Sequence, residues 1–381
     1  MTKSLKTGGF TSVAIAAMLM AAPVLAQENA GENEASTDLP FTVTEVASFT
    51  VPWALTFMPD GRMLVTQKPG GLYIVTEEGE KQEVAGAPEV LFEGQNGMLD
   101  VALAPSFAED QGVYLTYVEP GGEGGGLALA RATLTEGEGS AELTDFNVIW
   151  RQEPIGGGGQ PGGIIAFSPD GQYLFLTSGD RMRPERVQDP DQTPGKVLRL
   201  NLDGSVPEDN PMAAEGGVPA QTWTIGHRNP YGLAFDSEGR LWEHEMGPAG
   251  GDELNLIESG KNYGWPDVSF GDNYDGTPIP KPETEPDFAL PALYWAPVIA
   301  PAGLVFYDGE MFPDWNGSAL IGGLRAQSLV RVAFDEDGTP TEADRWAMDR
   351  RIRDVAVAPD GAIWVIEDAD NGALLRLSPT E

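Results

Sequence analysis

The segment IGHRNPYGLAF, residues 225–235, places a cation beside an amide in a chain that is otherwise strongly acidic. Arg228 and Asn229 follow His227, one of two histidines, and precede Pro230 and an apolar run. The whole protein carries 59 Asp and Glu against 23 Lys and Arg, a formal net charge of −36. Arginine is always charged and can hold a carboxylate through two parallel hydrogen bonds. This turn is therefore a candidate binding site rather than part of the acidic surface.

Several common chemistries have no motif in the sequence. There is no G-x-S-x-G elbow and no H-E-x-x-H pair, which argues against the usual serine and zinc hydrolases. With no cysteine, the chain has neither a disulfide framework nor a C-x-x-C-H haem site. The net negative charge would repel a phosphate backbone, so nucleic acid is not expected as a partner. The glycine runs GGEGGG and GGGGQPGG lack a strand–turn–helix context and are interpreted as flexible loops.

The elements that must position such a site repeat along the chain. The repeated unit is a short apolar strand, a P-D-G-like turn and a second strand, as in ALTFMPDGRMLVTQ, IIAFSPDGQYLFLTSGD and VAVAPDGAIWVIEDA. About six such units predict an all-β fold, a six-bladed β-propeller of four-stranded antiparallel blades. The Asp-Gly pairs beginning at Asp60, Asp170 and Asp360 supply tight turns, so these acids are not expected to be catalytic.

The N-terminus predicts export. Residues 1–26 combine a basic start, an apolar run too short to span a membrane and a small-residue cleavage site, which is typical of a signal peptide. Residues 27–40 contain few core-forming side chains and are predicted to be a flexible acidic linker. Residues 41–381 are then one propeller domain. We expect a periplasmic or secreted protein without a membrane span; its oligomeric state is left open.

The longest insertions lie between the third and fifth units, in RMRPERVQDPDQTPGKV and GPAGGDELNLIESGKNYGWPDVSFGDNYDGTP. A propeller gathers such loops around one mouth of its channel, so residues that are distant in sequence can meet there.

Five motifs, in this order, resemble a known family: GQNGMLDVALAPSFA, GKVLRLNLDGSVPEDNP, IGHRNPYGLAF, GPAGGDELNLIESGKNYGWP and RIRDVAVAPDG. They are similar to the soluble aldose sugar dehydrogenases of the glucose/sorbosone dehydrogenase family, which use pyrroloquinoline quinone (PQQ). The resemblance covers nearly all of the chain from about Phe41. It implies oxidation of an aldose at C1 to a lactone, with electrons passed to an external acceptor. PQQ is a planar ortho-quinone with three carboxylates, which suits fixed cations and a divalent metal.

The resemblance also implies roles for individual residues. The expected PQQ contacts are Gln95, Arg228, Asn229, Arg325, Arg351 and Arg353. The backbone carbonyls of Gly247 and Pro248 match ligands of the catalytic calcium, a hard cation that accepts carbonyl oxygens. Glu253 and the carbonyl of Tyr263 resemble ligands of a second, structural calcium. Asp252 and Glu253 could equally be acids that cap a loop.

One position departs from the family pattern. The family has a histidine ahead of a Gly-Gly and a strand, where it acts as general base for the C1 hydroxyl while hydride passes to the quinone. Here that position is Gln160, and an amide cannot take the proton. Three further positions differ from the pattern: Gly159, Ile164 and Met246. The resemblance therefore implies that the residues around the cofactor are retained, whereas those around the substrate are altered.

The chain contains other residues that could act as the base. His227 already belongs to the family pattern, and His244 would need strand alternation to aim it into the mouth. Asp180, at a strand end, is the better-placed candidate, because a carboxylate with a raised pKa can act as a base. Two alternatives to a working sugar dehydrogenase stay open. One is a calcium-dependent six-bladed lactonase or related hydrolase, which would not need the arginine set; the other is a propeller that binds PQQ or a glycan without turnover.

Overall fold

The computed structural model describes residues 28–122 and 124–380, so the predicted signal peptide lies outside the described residues. The strands in chain order are β1 Glu28–Asn29, β2 Phe41–Phe49, β3 Pro52–Phe57, β4 Met63–Gln67, β5 Gly71–Val75, β6 Lys81–Ala85, β7 Met98–Leu103, β8 Gly112–Glu119, β9 Gly126–Gly137, β10 Ser140–Arg151, β11 Gly162–Phe167, β12 Tyr173–Ser178, β13 Lys196–Asn201, β14 Thr222–Ile225, β15 Pro230–Phe235, β16 Leu241–Glu245, β17 Asp252–Leu256, β18 Leu293–Trp295, β19 Pro301–Phe306, β20 Ala319–Gly323, β21 Ser328–Phe334, β22 Pro340–Ala347, β23 Ile352–Val357, β24 Ile363–Glu367 and β25 Gly372–Pro379.

The helices are short. They are α1 Phe107–Asp110, α2 Gly217–Gln221 and the 3-10 turns Pro184–Arg186, Ala213–Glu215, Pro282–Thr284 and Pro313–Trp315. Within the described ranges, none is long and apolar enough to cross a membrane. The prediction of an all-β fold is confirmed.

The strands form five sheets with the orders β3-β4-β5-β6-β10-β9-β8-β7, β11-β12-β13-β14, β1-β18-β17-β16-β15, β19-β20-β21-β22 and β2-β25-β24-β23. The eight-stranded sheet consists of two antiparallel meanders, which join where β6 and β10 pair in parallel. The last sheet is completed from the other end of the domain, because β2 pairs antiparallel with β25, Phe41 opposite Pro379. Two distant parts of the chain are thereby held in one sheet.

The first strands β3, β7, β11, β15, β19 and β23 pack one against the next, and β23 packs on β3, so they form a closed ring. Their side chains surround a central channel of about 380 Å3. Threonines of the second strands bond to the first strand of the next meander or sheet: Thr66 to the Leu99 carbonyl (2.7 Å), Thr116 to that of Gly163 (2.6 Å) and Thr177 to that of Pro230 (3.2 Å). The sheets are therefore arranged radially, as in a propeller.

Local sequence explains the hairpins. Gly61, Gly171 and Gly361 have φ values of 90°, 68° and 87°, a region that favours glycine. The preceding Asp170 and Asp360 each accept a backbone hydrogen bond from the residue two positions on, at 3.1 and 2.9 Å. These repeated acids shape turns, as predicted.

Residues 28–40 do not form a flexible linker, and this prediction is wrong for the described part of 27–40. Strand β1 pairs in parallel with β18, and the Asn29 amide bonds to both the N–H and the C=O of Ala296 at 2.9 Å. Arg345 donates to the Asn33 carbonyl at 2.8 Å, and Ala30 is buried. Backbone and amide hydrogen bonds order a segment that has too few apolar side chains for its composition to indicate order.

Candidate functional site

A cleft of about 720 Å3 brings together seven of the residues singled out from the sequence: Gln95, Gln160, Arg228, Asn229, Gly247, Pro248 and Arg325. The loops before β7, β11 and β15 contribute the first four. Because these first strands lie side by side in the ring and leave the same face, the loops before them share one mouth. Residues that are distant in sequence therefore meet in one site.

Arg228 is fixed at the wall of the cleft. Its Nη1 donates to the carbonyls of Met246 and Gly247, both at 2.8 Å, and its Nη2 to the Tyr274 hydroxyl at 3.2 Å. The guanidinium carbon lies 5.3 Å from the centre of the Trp265 ring, within the range of a cation–π contact. The Arg228 backbone N–H also donates to the Glu245 carboxylate. The cation is thus held in place before any ligand binds.

Gln160 lines the cleft and has a left-handed backbone conformation, with φ 49°. Its N–H donates to Gln95 Oε1 at 2.6 Å. The amide orientation that satisfies its neighbours puts Nε2 2.5 Å from Asp180 Oδ1 and Oε1 2.8 Å from Arg228 Nη2. Gln160 is therefore a bridge between an acid and a cation, and its amide has no basic nitrogen to accept a proton.

Asp180 lies behind that bridge and does not line the cleft, although sequence analysis named it as a candidate base. It is 1% exposed, accepting from Trp265 Nε1 at 2.9 Å and from the Met182 N–H at 2.8 Å. Burial raises the pKa of Asp180 to about 6, and Arg228 opposes the shift. The carboxylate could take a proton near neutral pH, but the Gln160 amide separates it from the cleft.

The two histidines are buried and lie outside the cleft lining. His227 Nε2 is 2.8 Å from Thr224 Oγ1 and His227 Nδ1 is 3.3 Å from Glu245 Oε1, so this ring supports Glu245. His244 Nε2 lies 2.9 Å from the Gly303 carbonyl, in the packing between neighbouring sheets. Burial lowers the pKa of His244 to about 4. The hypothesis that His244 replaces the base is wrong, because strand alternation points it into the protein.

Arg351 and Arg353 lie apart from the residues that line the cleft, whereas Arg325 is exposed at its edge. Both arginines pair with Asp368, at 2.6 Å from Arg351 and 2.9 Å from Arg353. Burial alone would raise the pKa of Asp368, but the two guanidinium groups hold it below its ordinary value. Arg353 lines the central channel, with its guanidinium carbon 5.6 Å from the Tyr231 ring.

The loop that carries Gly247 and Pro248 is fixed by one acid. Asp252 accepts from the Gly247 N–H at 2.9 Å and from the Ala300 N–H at 2.7 Å. Burial raises the pKa of Asp252 to about 7. Asp252 is therefore the loop-capping acid that sequence analysis left as an alternative, and it holds two backbone carbonyls at the cleft wall.

Glu253 and Tyr263 border a second, much smaller cavity of about 10 Å3, together with Glu245 and Ser269. Burial, and then the neighbouring Glu245, raise the pKa of Glu253 well above its ordinary value. A cation in this cavity would reverse that effect by stabilising the ionised carboxylates. The donor set, which consists of carboxylate and carbonyl oxygens, is suited to calcium.

The cleft also fits an oxygen-rich planar ligand. Arg228 Nε and Asn229 Oδ1 are buried and have no hydrogen-bond partner among the described residues, and the same holds for Arg353 Nε in the channel. Buried polar atoms are rarely left unsatisfied, so such groups mark places where a ligand can bond. A polyanionic quinone could use the cations, and a bound metal could use the carbonyls of Gly247 and Pro248.

Sequence reasoning missed three residues at or behind the cleft. Glu32 comes from the segment predicted as linker, and nothing in its composition indicated a position in the site. Tyr274 and Trp265 lie in the long insertion after β16, where any aromatic residue was a candidate, but only the fold shows that both face Arg228.

The radial sheets and this cleft define a propeller with a polar ligand site at one mouth. The family model for glucose/sorbosone dehydrogenase matches residues 49–376, and the chain belongs to that family. Aldose sugar dehydrogenase YliI of Escherichia coli is 39% identical over 337 residues, covering 86% of this chain and 90% of the relative.

Two solved structures show the same likeness. The soluble aldose sugar dehydrogenase of Escherichia coli in its apo-form has a TM-score of 0.84 and 37% identity, covering 89% of this chain and 100% of that one. The PQQ-bound aldose sugar dehydrogenase of Streptomyces coelicolor has a TM-score of 0.72 and 27% identity, covering 90% of this chain and 100% of that one.

Proposed function

We propose that this protein is a PQQ- and calcium-dependent dehydrogenase that oxidises aldose sugars at C1 to lactones. The observation that carries the proposal is the convergence of Arg228, Asn229, Gln95 and the Gly247–Pro248 carbonyls on one cleft. PQQ, when bound, supplies an acceptor for the two electrons that the sugar loses. The sugar also releases two protons as its C1–OH becomes a lactone carbonyl.

Each residue then has a task that follows from its position. Arg228 would bind and orient the cofactor's oxygens, since its buried Nε–H has no partner among the described residues, and Asn229 Oδ1, also without a partner there, would accept an N–H or O–H of the ligand. The carbonyls of Gly247 and Pro248 would hold the catalytic calcium, with Asp252 fixing their loop. Glu253 and Tyr263 would hold a structural calcium. We assign Arg325 to the rim of the cleft. Arg351 and Arg353, which lie apart from the cleft lining, would act from the side of the channel, where Asp368 pairs with both.

The cleft lining lacks a residue that can readily accept the proton of the C1 hydroxyl. Gln160 stands where the family has a histidine, and Asp180, with its pKa near 6, is one amide away from the cleft. We therefore infer that the wild-type enzyme oxidises ordinary aldoses slowly, because a positioned base contributes about 10²–10⁴-fold. A substrate whose hydroxyl is more acidic would suffer less from this loss.

The proposal also covers the number of blades, the location of the protein and the electron acceptor. The ring of six first strands supports a six-bladed propeller, if the eight-stranded sheet counts as two blades. The N-terminal sequence supports export to the periplasm or secretion. Without cysteine to attach a c-type haem, the electrons would leave to an external acceptor.

The test is reconstitution of the purified, metal-free protein with calcium and PQQ, followed by dye reduction with a panel of aldoses. We expect reduction that requires both additions. Binding of PQQ without reduction of dye by any aldose would favour a propeller that binds the cofactor without turnover. Lactone hydrolysis in the absence of PQQ would favour the calcium-dependent hydrolase.

A further inference from the structure

Arg181 is a fully buried arginine next to the site, and the proposed chemistry does not use it. It is 0% exposed, and burial lowers its pKa to about 10. All four hydrogen bonds of its terminal nitrogens go to uncharged oxygens: Asn96 Oδ1 at 2.9 Å and the carbonyls of Gly157 (3.0 Å), Gly159 (3.0 Å) and Gly124 (3.1 Å). A buried cation is costly, so such an arrangement needs a reason.

These acceptors lie on three loops, two of which line the cleft through Gln95 and Gln160. The three mouth loops are residues 94–97, residues 121–126 apart from the undescribed 123, and residues 156–161. The first carries Gln95 and the third carries Gln160, which are joined by the 2.6 Å bond from the Gln160 N–H to Gln95 Oε1. One guanidinium therefore bonds to both loops that carry these two residues and to a third loop as well.

The glycine content of these loops explains why a side chain from outside them is needed to fix their positions. A Cβ added at Gly157 would lie 2.5 Å from Arg181 Cβ, so this loop can approach only because it has no side chain there. A Cβ at Gly124 would clash with the Gly157 carbonyl. Glycine loops have the largest backbone freedom and no side chains of their own to anchor them. The runs predicted to be flexible are packed around Arg181.

The backbone at Arg181 also departs from the common conformations. Arg181 and Met182 have φ values of 61° and 58°, a left-handed conformation that disfavours residues with a Cβ. The Arg181 N–H bonds to the Gln160 carbonyl at 3.2 Å, and the Asp180 carboxylate accepts the Met182 N–H. This unusual turn directs the guanidinium away from the cleft and beneath the three loops.

We propose that Arg181 is a positioning residue that holds Gln95 and Gln160 in fixed positions relative to Arg228. It touches neither ligand nor substrate and acts through the three mouth loops. The inference about the loops is independent of the proposed function. Its consequence for the cofactor and the sugar rests on that function.

The test compares three full-length proteins: wild type, Arg181→Lys and Arg199→Lys. Lysine keeps the charge, but one ammonium cannot reach four oxygens spread over three loops. Arg199 is a matched control, because it is also buried and bonds to Asp209 and Asn210 away from the cleft. Amide hydrogen exchange is measured without cofactor, with Gly125, Gly156 and Gln160 as reporters for the mouth loops.

In Arg181→Lys we expect exchange at all three reporters to rise together by at least about tenfold, the equivalent of one lost charged hydrogen bond. Arg199→Lys should leave them unchanged. If the reporters keep their wild-type exchange rates, or if exchange rises equally across the whole domain, Arg181 does not hold the three loops. This comparison stands even if wild type fails to bind PQQ, an outcome that would refute the proposed function alone.

Cofactor affinity and substrate KM give the second measurement. With calcium present, Arg181→Lys should raise the Kd for PQQ and the KM for aldose by at least about tenfold, while Arg199→Lys changes neither. A variant with loosened loops and wild-type values for both constants would overturn the positioning role.

Discussion

Gln160→His is the variant that tests the proton step of the proposed reaction. The residue lies between Asp180 Oδ1 at 2.5 Å and Arg228 Nη2 at 2.8 Å, so an imidazole there would meet an anion on one side and a cation on the other. The carboxylate favours the imidazolium and the guanidinium disfavours it. The two effects oppose each other, and burial of this position also favours the neutral imidazole, the form that can accept the proton.

The magnitude follows from that environment. A positioned base contributes about 10²–10⁴-fold, or about 2.7–5.4 kcal/mol of activation free energy. By the resemblance described from the sequence, Ile164 and Met246 also depart from the family pattern and the variant does not restore them, so we expect only the lower part of the gain. Turnover of aldose should rise at least about tenfold.

The assay is steady-state dye reduction with calcium and PQQ saturating, from pH 5 to 9. Gln160→His should show a rate that rises with pH as the imidazole loses its proton. Gln160→Asn is the control, because it keeps an amide and supplies no base. Equal rates for wild type and Gln160→His, at a fast wild-type turnover, would refute the reasoning and make Asp180→Asn the next variant to measure.

Two further predictions concern stability. Burial raises the pKa of Asp100 to about 6 and that of Asp354 to about 8, so the folded state binds more protons than the unfolded state. Their stabilising contribution is fully present below about pH 4 and is lost as the pH rises through these values. Urea unfolding should show the unfolding free energy falling by about 2 kcal/mol per pH unit from pH 5 to 7, and less steeply in Asp354→Asn. Asn29→Ala should lower the unfolding free energy by about 1 kcal/mol in the same assay, since the amide bonds to both the N–H and the C=O of Ala296. An unchanged value would mean that these two hydrogen bonds add no net stability.

The repeats predicted the fold well, because each repeat is local: strand, Asp-Gly turn, strand. Such patterns depend on backbone geometry that neighbouring residues set, and Asp170 and Asp360 cap their turns as expected. The order of residues 28–40 could not be predicted in this way. It comes from pairing with β18, more than 250 positions away in the sequence, and composition carries no information about such a partner.

The candidate site likewise has features that the sequence predicted and features that it could not predict. Motif resemblance named Gln95, Gln160 and Arg228, and the structure brings them to one cleft. It could not show that the Gln160 amide stands between Asp180 and the cleft, because that depends on side-chain rotamers and on which way an amide faces. Nor could it single out Arg181, whose hydrogen-bond acceptors are mainly backbone carbonyls that any residue would supply.

Equilibrium titration of PQQ into the metal-free protein, with and without calcium, tests the central claim most directly. Cofactor absorbance and the thermal midpoint are followed for wild type, Arg228→Ala and Arg240→Ala, whose arginine pairs with Asp236 outside the cleft. We predict saturable binding that needs calcium, a higher thermal midpoint, and affinity at least about tenfold weaker in Arg228→Ala alone. No absorbance change and no stabilisation of wild type by PQQ with calcium would contradict the account.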